Sequence, residues 1–129
     1  MTLTDEDALR AYAKTMNTLS IEPLEKVLAE NFHYSSQHVF SELTSKAEFL
    51  DYLKPKLATI SQSGATVYAE LGTVYAYGRE QPCVVLAQGA QTNLVALVLA
   101  TVESGQLSRL DLCILPTPDA AQRSGEYPK

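Results

Sequence analysis

Tryptophan is absent from the 129 residues, and only two cysteines and ten basic side chains are present. The cysteines, Cys83 and Cys113, lack the spacing of a redox or metal-binding pair, so two reduced buried thiols are expected rather than a disulfide or a cysteine-held metal. The ten Lys and Arg stand singly against fifteen acids, a net charge of -5. A polyphosphate backbone finds no basic stripe to neutralise, which excludes nucleic acid as an expected partner. No run approaches the roughly 20 apolar residues that cross a bilayer; the longest, residues 94–100, has the length of a strand. The acidic, polar start at residues 1–7 has no charged-then-apolar pattern of a secretion signal, and a cytoplasmic protein is expected.

What is present suffices for one core. Apolar residues make up 46% and charged residues 19%, in the range of an ordinary folded domain of this length. Thr4 followed by Asp5, Glu6 and Asp7 reads as a helix start, a capping hydroxyl followed by carboxylates at the positive helix end. Leu9, Tyr12, Ala13, Met16 and Leu19 then recur at spacings of three and four. Pro23 opens a second helix, expected to end near Asn31 with Leu24, Val27 and Leu28 buried. Period two follows: Phe32, Tyr34, Ser36 and His38 alternate with His33, Ser35 and Gln37, and residues 39–43 read as a second short strand. Thr44 or Ser45 caps a third helix to about Leu57, with a kink or early end expected at Pro55.

Beyond Gly64 the pattern is of strands. Residues 66–77, 83–91, 94–103 and 107–115 are separated by the turn residues 78–82, 92–93 and 104–106, as in an antiparallel meander. Helices first and strands after imply an α+β domain over residues 1–115, three N-terminal helices packed on a curved antiparallel sheet. Residues 116–129, rich in Pro, Gly, Ser and Asp, read as a tail or an arm laid across a surface. Residues 94–100 are apolar on both faces, whereas helices cover one face only. A second copy of the chain is the expected cover for the other, giving a homodimer through the sheet face.

The segments Ala11-Tyr12-Ala13 to Asn17, residues 23–32 and residues 44–50 resemble the first two helices, the entry to the first strand, and the third helix of the nuclear transport factor 2-like superfamily, a cystatin-like α+β cone with an internal pocket. The likeness spans about residues 4–115. The superfamily includes ketosteroid isomerase, scytalone dehydratase, polyketide cyclases, limonene epoxide hydrolase and many uncharacterised members. Alignment on these landmarks places Tyr12 where ketosteroid isomerase keeps its oxyanion-binding tyrosine, Ser36 where it has its aspartate base, and Leu97 where its protonated acid sits. One of the three roles is kept, and a serine hydroxyl is no base near neutrality. Arg109 and Asp111, the nearest thing to an epoxide-hydrolase set, alternate away from the pocket.

Alternation places Tyr34, Ser36 and His38 in the cavity with Phe32, with Tyr12 and Tyr52 approaching from the helices. Val95, Leu97, Leu99, Leu110, Leu112 and Ile114 are expected as its apolar floor. Polar groups converging in an apolar pocket are the usual form of a small-molecule site. The ligand-binding set is therefore Tyr12, Tyr34, Ser36, His38, Tyr52, Leu97, Leu99 and Leu112, with His38 and Tyr12 the candidates for catalysis. Tyr12 and Tyr52 equally fit core aromatics. His33 and His38 lie on opposite strand faces and cannot share a metal, so neither metal nor cofactor is expected. The expected function is binding of a small, mostly apolar organic molecule. The alternatives are a cofactor-independent lyase, isomerase or cyclase with His38 as base and Tyr12 as hydrogen-bond donor, and a protein-interaction module using the sheet face or the tail.

Overall fold

The computed structural model describes residues 2–37 and 41–129. The first helix, α1 (Asp5–Thr18), starts with a capping box: the Thr4 hydroxyl accepts from the Asp7 N–H and the Asp7 carboxylate accepts from the Thr4 N–H. Two of the N–H groups left without a partner at the helix start are thereby satisfied. The second helix, α2, is a single turn, Glu22–Glu25, not the helix to Asn31 that the sequence suggests. The chain leaves the helix early because the Val27 carbonyl accepts from the Leu107 N–H at 2.8 Å and Leu28 pairs beside Leu107. Tertiary pairing thus overrides local helix propensity. Strand β1 runs Leu28–Ser36.

Ser45 caps α3 (Lys46–Ser63), its hydroxyl accepting from the Glu48 N–H at 3.1 Å. Pro55 does not end it. The helix continues two further turns because Leu53 and Leu57 on either side of the exposed proline are buried, and it stops at Gly64, which takes the left-handed conformation at φ 72°. Of the expected short strand at residues 39–43, residues 39 and 40 lie outside the described residues, and Leu43 makes one antiparallel bridge to Tyr34.

Strands β2 (Val67–Ala76), β3 (Arg79–Gln88), β4 (Leu94–Glu103) and β5 (Gln106–Cys113) form the meander. Pro82, read from sequence as part of a turn, lies inside β3. It sits beyond Val84–Ala87, the span over which β3 pairs with β4, so its missing N–H does not interrupt that ladder. The sheet has six strands in the order β1-β5-β4-β3-β2-β6 and is mixed, because β1 runs parallel to β5.

Helices α1 and α3 pack on one face of the sheet, over a core that includes Leu9, Phe32, Phe49, Val84, Val98 and Leu110. The far face carries its own apolar cluster: Val74, Ala76, Cys83, Val85, Leu97, Leu99 and Cys113. Leu97 is fully buried there without any second copy. The cover comes from the same chain. Residues 114–121 turn back across β4, with the 3-10 turn Pro118–Ala120 against that strand and Ala121 on the cluster. The arm then pairs along β2 as β6 (Gln122–Arg123).

Several bonds fasten the arm. Gln37 receives the N–H groups of Ile114 and Leu115 on its side-chain oxygen and donates to the Leu115 carbonyl at 2.9 Å. The buried Glu70 carboxylate accepts from Arg123 Nε at 2.6 Å and from the Gly125 N–H at 2.7 Å. Asn17 of α1 donates to both the Ala69 and Pro128 carbonyls, and Arg10 pairs with Glu126. A buried carboxylate is tolerable only when so paired.

Gly72 is where the arm comes closest to the sheet. A Cβ there would stand 2.7 Å from the Gln122 carbonyl oxygen. Gly72→Ala is therefore expected to push β6 off the edge, with a net loss of about 1–3 kcal/mol typical of overpacking. A thermal melt should show a midpoint lower by several degrees; an unchanged or raised midpoint would contradict the contact.

Candidate functional site

A cavity of about 480 Å³ lies between α1, α3 and the helix-side face of the sheet. Each wall follows from local pattern. The face of α1 that repeats every three to four residues supplies Tyr12 and Met16, and the inward residues of β1 supply Tyr34. Helix α3 supplies Phe49, Tyr52, Leu53, Lys56 and Ile60; the sheet supplies Val67, Leu86, Gln88, Val95, Ala96 and Leu112. The lining is predominantly hydrophobic with a few polar tips, and its size is within the range of small-molecule sites.

Three tyrosines form its polar end. The rings of Tyr34 and Tyr52 lie 5.6 Å apart, and Tyr34 stacks against Phe49 at 5.1 Å. Ser36 follows Tyr34 by two residues on the same strand face and works against the rise in the Tyr34 phenol that burial, Tyr12 and Tyr52 promote. Tyr12 and Tyr34 are buried, whereas Tyr52 is 40% exposed. Burial pushes the Tyr12 phenol well above its ordinary value, with the neighbouring Tyr52 adding to the shift. Burial also raises Tyr34, helped by Tyr12 and Tyr52. Both phenols therefore stay neutral at physiological pH and remain O–H donors. Beside them, Lys56 Nζ lies 3.3 Å from the Tyr52 hydroxyl and 5.4 Å above the Tyr52 ring.

Of the residues singled out by sequence, Tyr12, Tyr34, Tyr52 and Leu112 line the cavity. Ser36 is buried beside it and reaches it through Tyr34. His38 lies outside the described residues. Leu97 and Leu99 are a correction: both belong to the far-face cluster. The cause is a bulge in β4. Leu86 pairs with Ala96 but the next residue, Ala87, pairs with Leu94, which leaves Val95 as the extra residue. A bulge breaks the period of two, so Val95 and Ala96 both face the cavity and Leu97 and Leu99 turn away. Leu110 is buried in the helix-side core and Ile114 is exposed, so neither joins the floor. Arg109 and Asp111 do face away from the cavity. They pair with each other at 3.0 Å, and Arg109 also holds Glu42, which His33 approaches at 3.4 Å.

Ile60 lies beyond a sequence reading that stops α3 near Leu57, and Lys56, although inside that span, is not among the residues it singles out. Their signal is nonetheless present, because Tyr52, Lys56 and Ile60 recur every fourth residue and share one helix face. Among the described residues, no cluster of His, Cys, Asp and Glu could hold a metal ion, and no helix is long and apolar enough to cross a membrane.

No family model and no curated protein matches the sequence. Solved structures match the fold. A nuclear transport factor 2-like protein of unknown function from Cytophaga hutchinsonii superposes with a TM-score of 0.60 at 14% identity, over 90% of this chain and 96% of that one. A candidate ketosteroid isomerase from Kribbella flavida gives 0.58 at 20% identity, over 87% and 79%. An uncharacterised cystatin-fold protein from Novosphingobium aromaticivorans gives 0.56 at 11% identity, over 83% and 97%. At such identities the likeness establishes architecture and leaves chemistry to the site. The chain has the nuclear transport factor 2-like, cystatin-like α+β fold.

Proposed function

We propose that this protein binds a small, mostly apolar organic molecule carrying an oxygen that accepts hydrogen bonds. The observation that carries the reading is the 480 Å³ cavity with apolar walls and neutral phenols gathered at one end. Burial of an apolar body against Leu86, Val95 and Ala96 supplies affinity at about 25 cal/mol per Å². The tyrosine hydroxyls that edge the cavity orient the oxygen, since a phenol is best satisfied by an acceptor. The pure interaction-module reading is less well supported, because the far face and the arm are occupied by one another.

A second reading has an observation of its own. Neutral phenol donors among apolar walls polarise a carbonyl, the first requirement for moving a proton beside it. This is the lyase, isomerase or cyclase reading, with Tyr12 as donor and His38 as base. The cavity lining contains no carboxylate among the described residues, so a base must come from elsewhere, and Ser36 cannot serve unaided.

Thermal melts with naphthol, decanol and the aromatic ketone tetralone test the binding reading. At about 100 times its dissociation constant a ligand adds about 2.7 kcal/mol, a rise on the order of 10 °C for a chain of this size. Ala96→Phe, which fills the cavity from its floor, should abolish the rise while leaving the circular dichroism spectrum unchanged. A flat response of the parent protein to all three compounds would sink the reading. Tetralone also separates the two readings, since it exchanges its enolisable hydrogens only if a base removes them. Incubated with the protein in heavy water, it should return without deuterium beyond the buffer rate. Incorporation that disappears in both His38→Ala and Tyr12→Phe would replace binding with proton transfer.

A further inference from the structure

The cavity bears charge of one sign. In a chain of net charge -5, its lining contains a single cation, Lys56, and no acid among the described residues. Like Lys14, Lys26, Lys46 and Lys129, Lys56 makes no ion pair among the described residues, but it alone of these lines the cavity. Lys54 reaches Glu25, Arg10 holds Glu126, Arg109 holds Glu42 and Asp111, and Arg123 holds Glu70. Among the described residues, no carboxylate lies within ion-pair distance of Lys56. Its ammonium is drawn instead over the Tyr52 ring and onto the Tyr52 hydroxyl.

Depth matters as well. Tyr52 and Lys56 are exposed while Tyr12 and Tyr34 are buried, so the cation and its hydroxyl neighbour mark the solvent end of the cavity. An anionic group bound there keeps part of its hydration and avoids the full penalty of burial, while an attached apolar body reaches inward. One ammonium and one hydroxyl suit a head group of single charge. A phosphate monoester, with nearly two charges, would leave one of them without a cation, since Lys56 is the single one in the described lining.

From this arrangement we infer that the ligand is an amphipathic carboxylic acid, its carboxylate held by Lys56 Nζ and the Tyr52 hydroxyl and its apolar body lying between α3 and the β3–β4 floor. The inference rests on the reading of the cavity as a binding site for an apolar molecule and adds the chemistry of the head group. It assigns Lys56 a role in specificity: a neutral analogue still fills the cavity but leaves the ammonium to water.

Naphthaleneacetic acid and its isosteric carboxamide isolate that head group, because they share shape and apolar body and differ in charge and in one acceptor oxygen replaced by an amide donor. Calorimetric titration of the full chain is expected to show the acid bound about ten-fold more tightly, the scale of one charge-assisted hydrogen bond. In Lys56→Met the two compounds should bind within about two-fold of one another, and Lys56→Arg should restore most of the preference. Equal affinities for the parent protein, or a preference that survives in Lys56→Met, would overturn the carboxylate inference and leave the cavity reading standing. Failure of both compounds to bind would overturn the two together.

Discussion

Strand β4 is apolar on both faces, and a sheet with such a strand near its centre must be covered twice. On one side Ala96, Val98 and Ala100 meet the helices; on the other Leu97 and Leu99 join Val74, Val85 and the two cysteines. Each buried aliphatic side chain contributes roughly 1.5–3 kcal/mol, a large share of a margin that is commonly only about 5–15 kcal/mol. Neither face can therefore stay wet. Helices α1 and α3 supply one cover, and residues 114–121 of the same chain supply the other. The fastenings of the arm, Gln37 at its start and Glu70 with Arg123 at its end, are the polar counterpart of this apolar demand. They also close the β2 edge, which β6 and the bond from the Leu71 N–H to the Glu126 carbonyl occupy.

The site follows from the same sheet. Because the far-face cover lies outside, the helix-side layer need not be packed solid, and α1 and α3 leave between them the space that Tyr12, Tyr34 and Tyr52 edge. The bulge at Val95 turns two successive side chains of β4 toward the helices. One of them is Ala96, whose small side chain leaves the floor low. The result is a pocket with apolar walls, phenols toward its buried end and Lys56 at its exposed end, the usual form of a site for a mostly apolar ligand with a few polar groups.

Much of this architecture was legible in the residues. The capping box at Thr4, the period of α1, the meander of β2 to β5 and the alternation of Phe32, Tyr34 and Ser36 are local signals, and local signals survive folding. What was not legible depends on partners distant in sequence. Strand β1 begins at Leu28 because Leu107 is there to pair with it, and α3 passes Pro55 because Leu53 and Leu57 are anchored in the core. Strict alternation places Leu97 and Leu99 in the cavity, and a single extra residue, Val95, reverses that assignment without leaving any mark in composition. From sequence alone, residues 94–100 suggest a second copy as the cover of their outer face. The chain's own arm lies there, and its polar composition hid the few apolar contacts through which it acts.

Both cysteines of the chain, Cys83 and Cys113, lie in the far-face cluster and are almost wholly buried, so their reactivity reports the cover directly. Burial pushes the Cys83 thiol up to about 12 and raises that of Cys113, and a protonated thiol is a poor nucleophile. Labelling with a thiol-specific disulfide reagent under native conditions is expected to leave both protected. In a chain ending at residue 115 both should react promptly, with binding of a hydrophobic dye to the uncovered face. If the thiols of the intact native protein react as fast as free cysteine, the far face is open and the account of a sheet clad by its own arm is wrong.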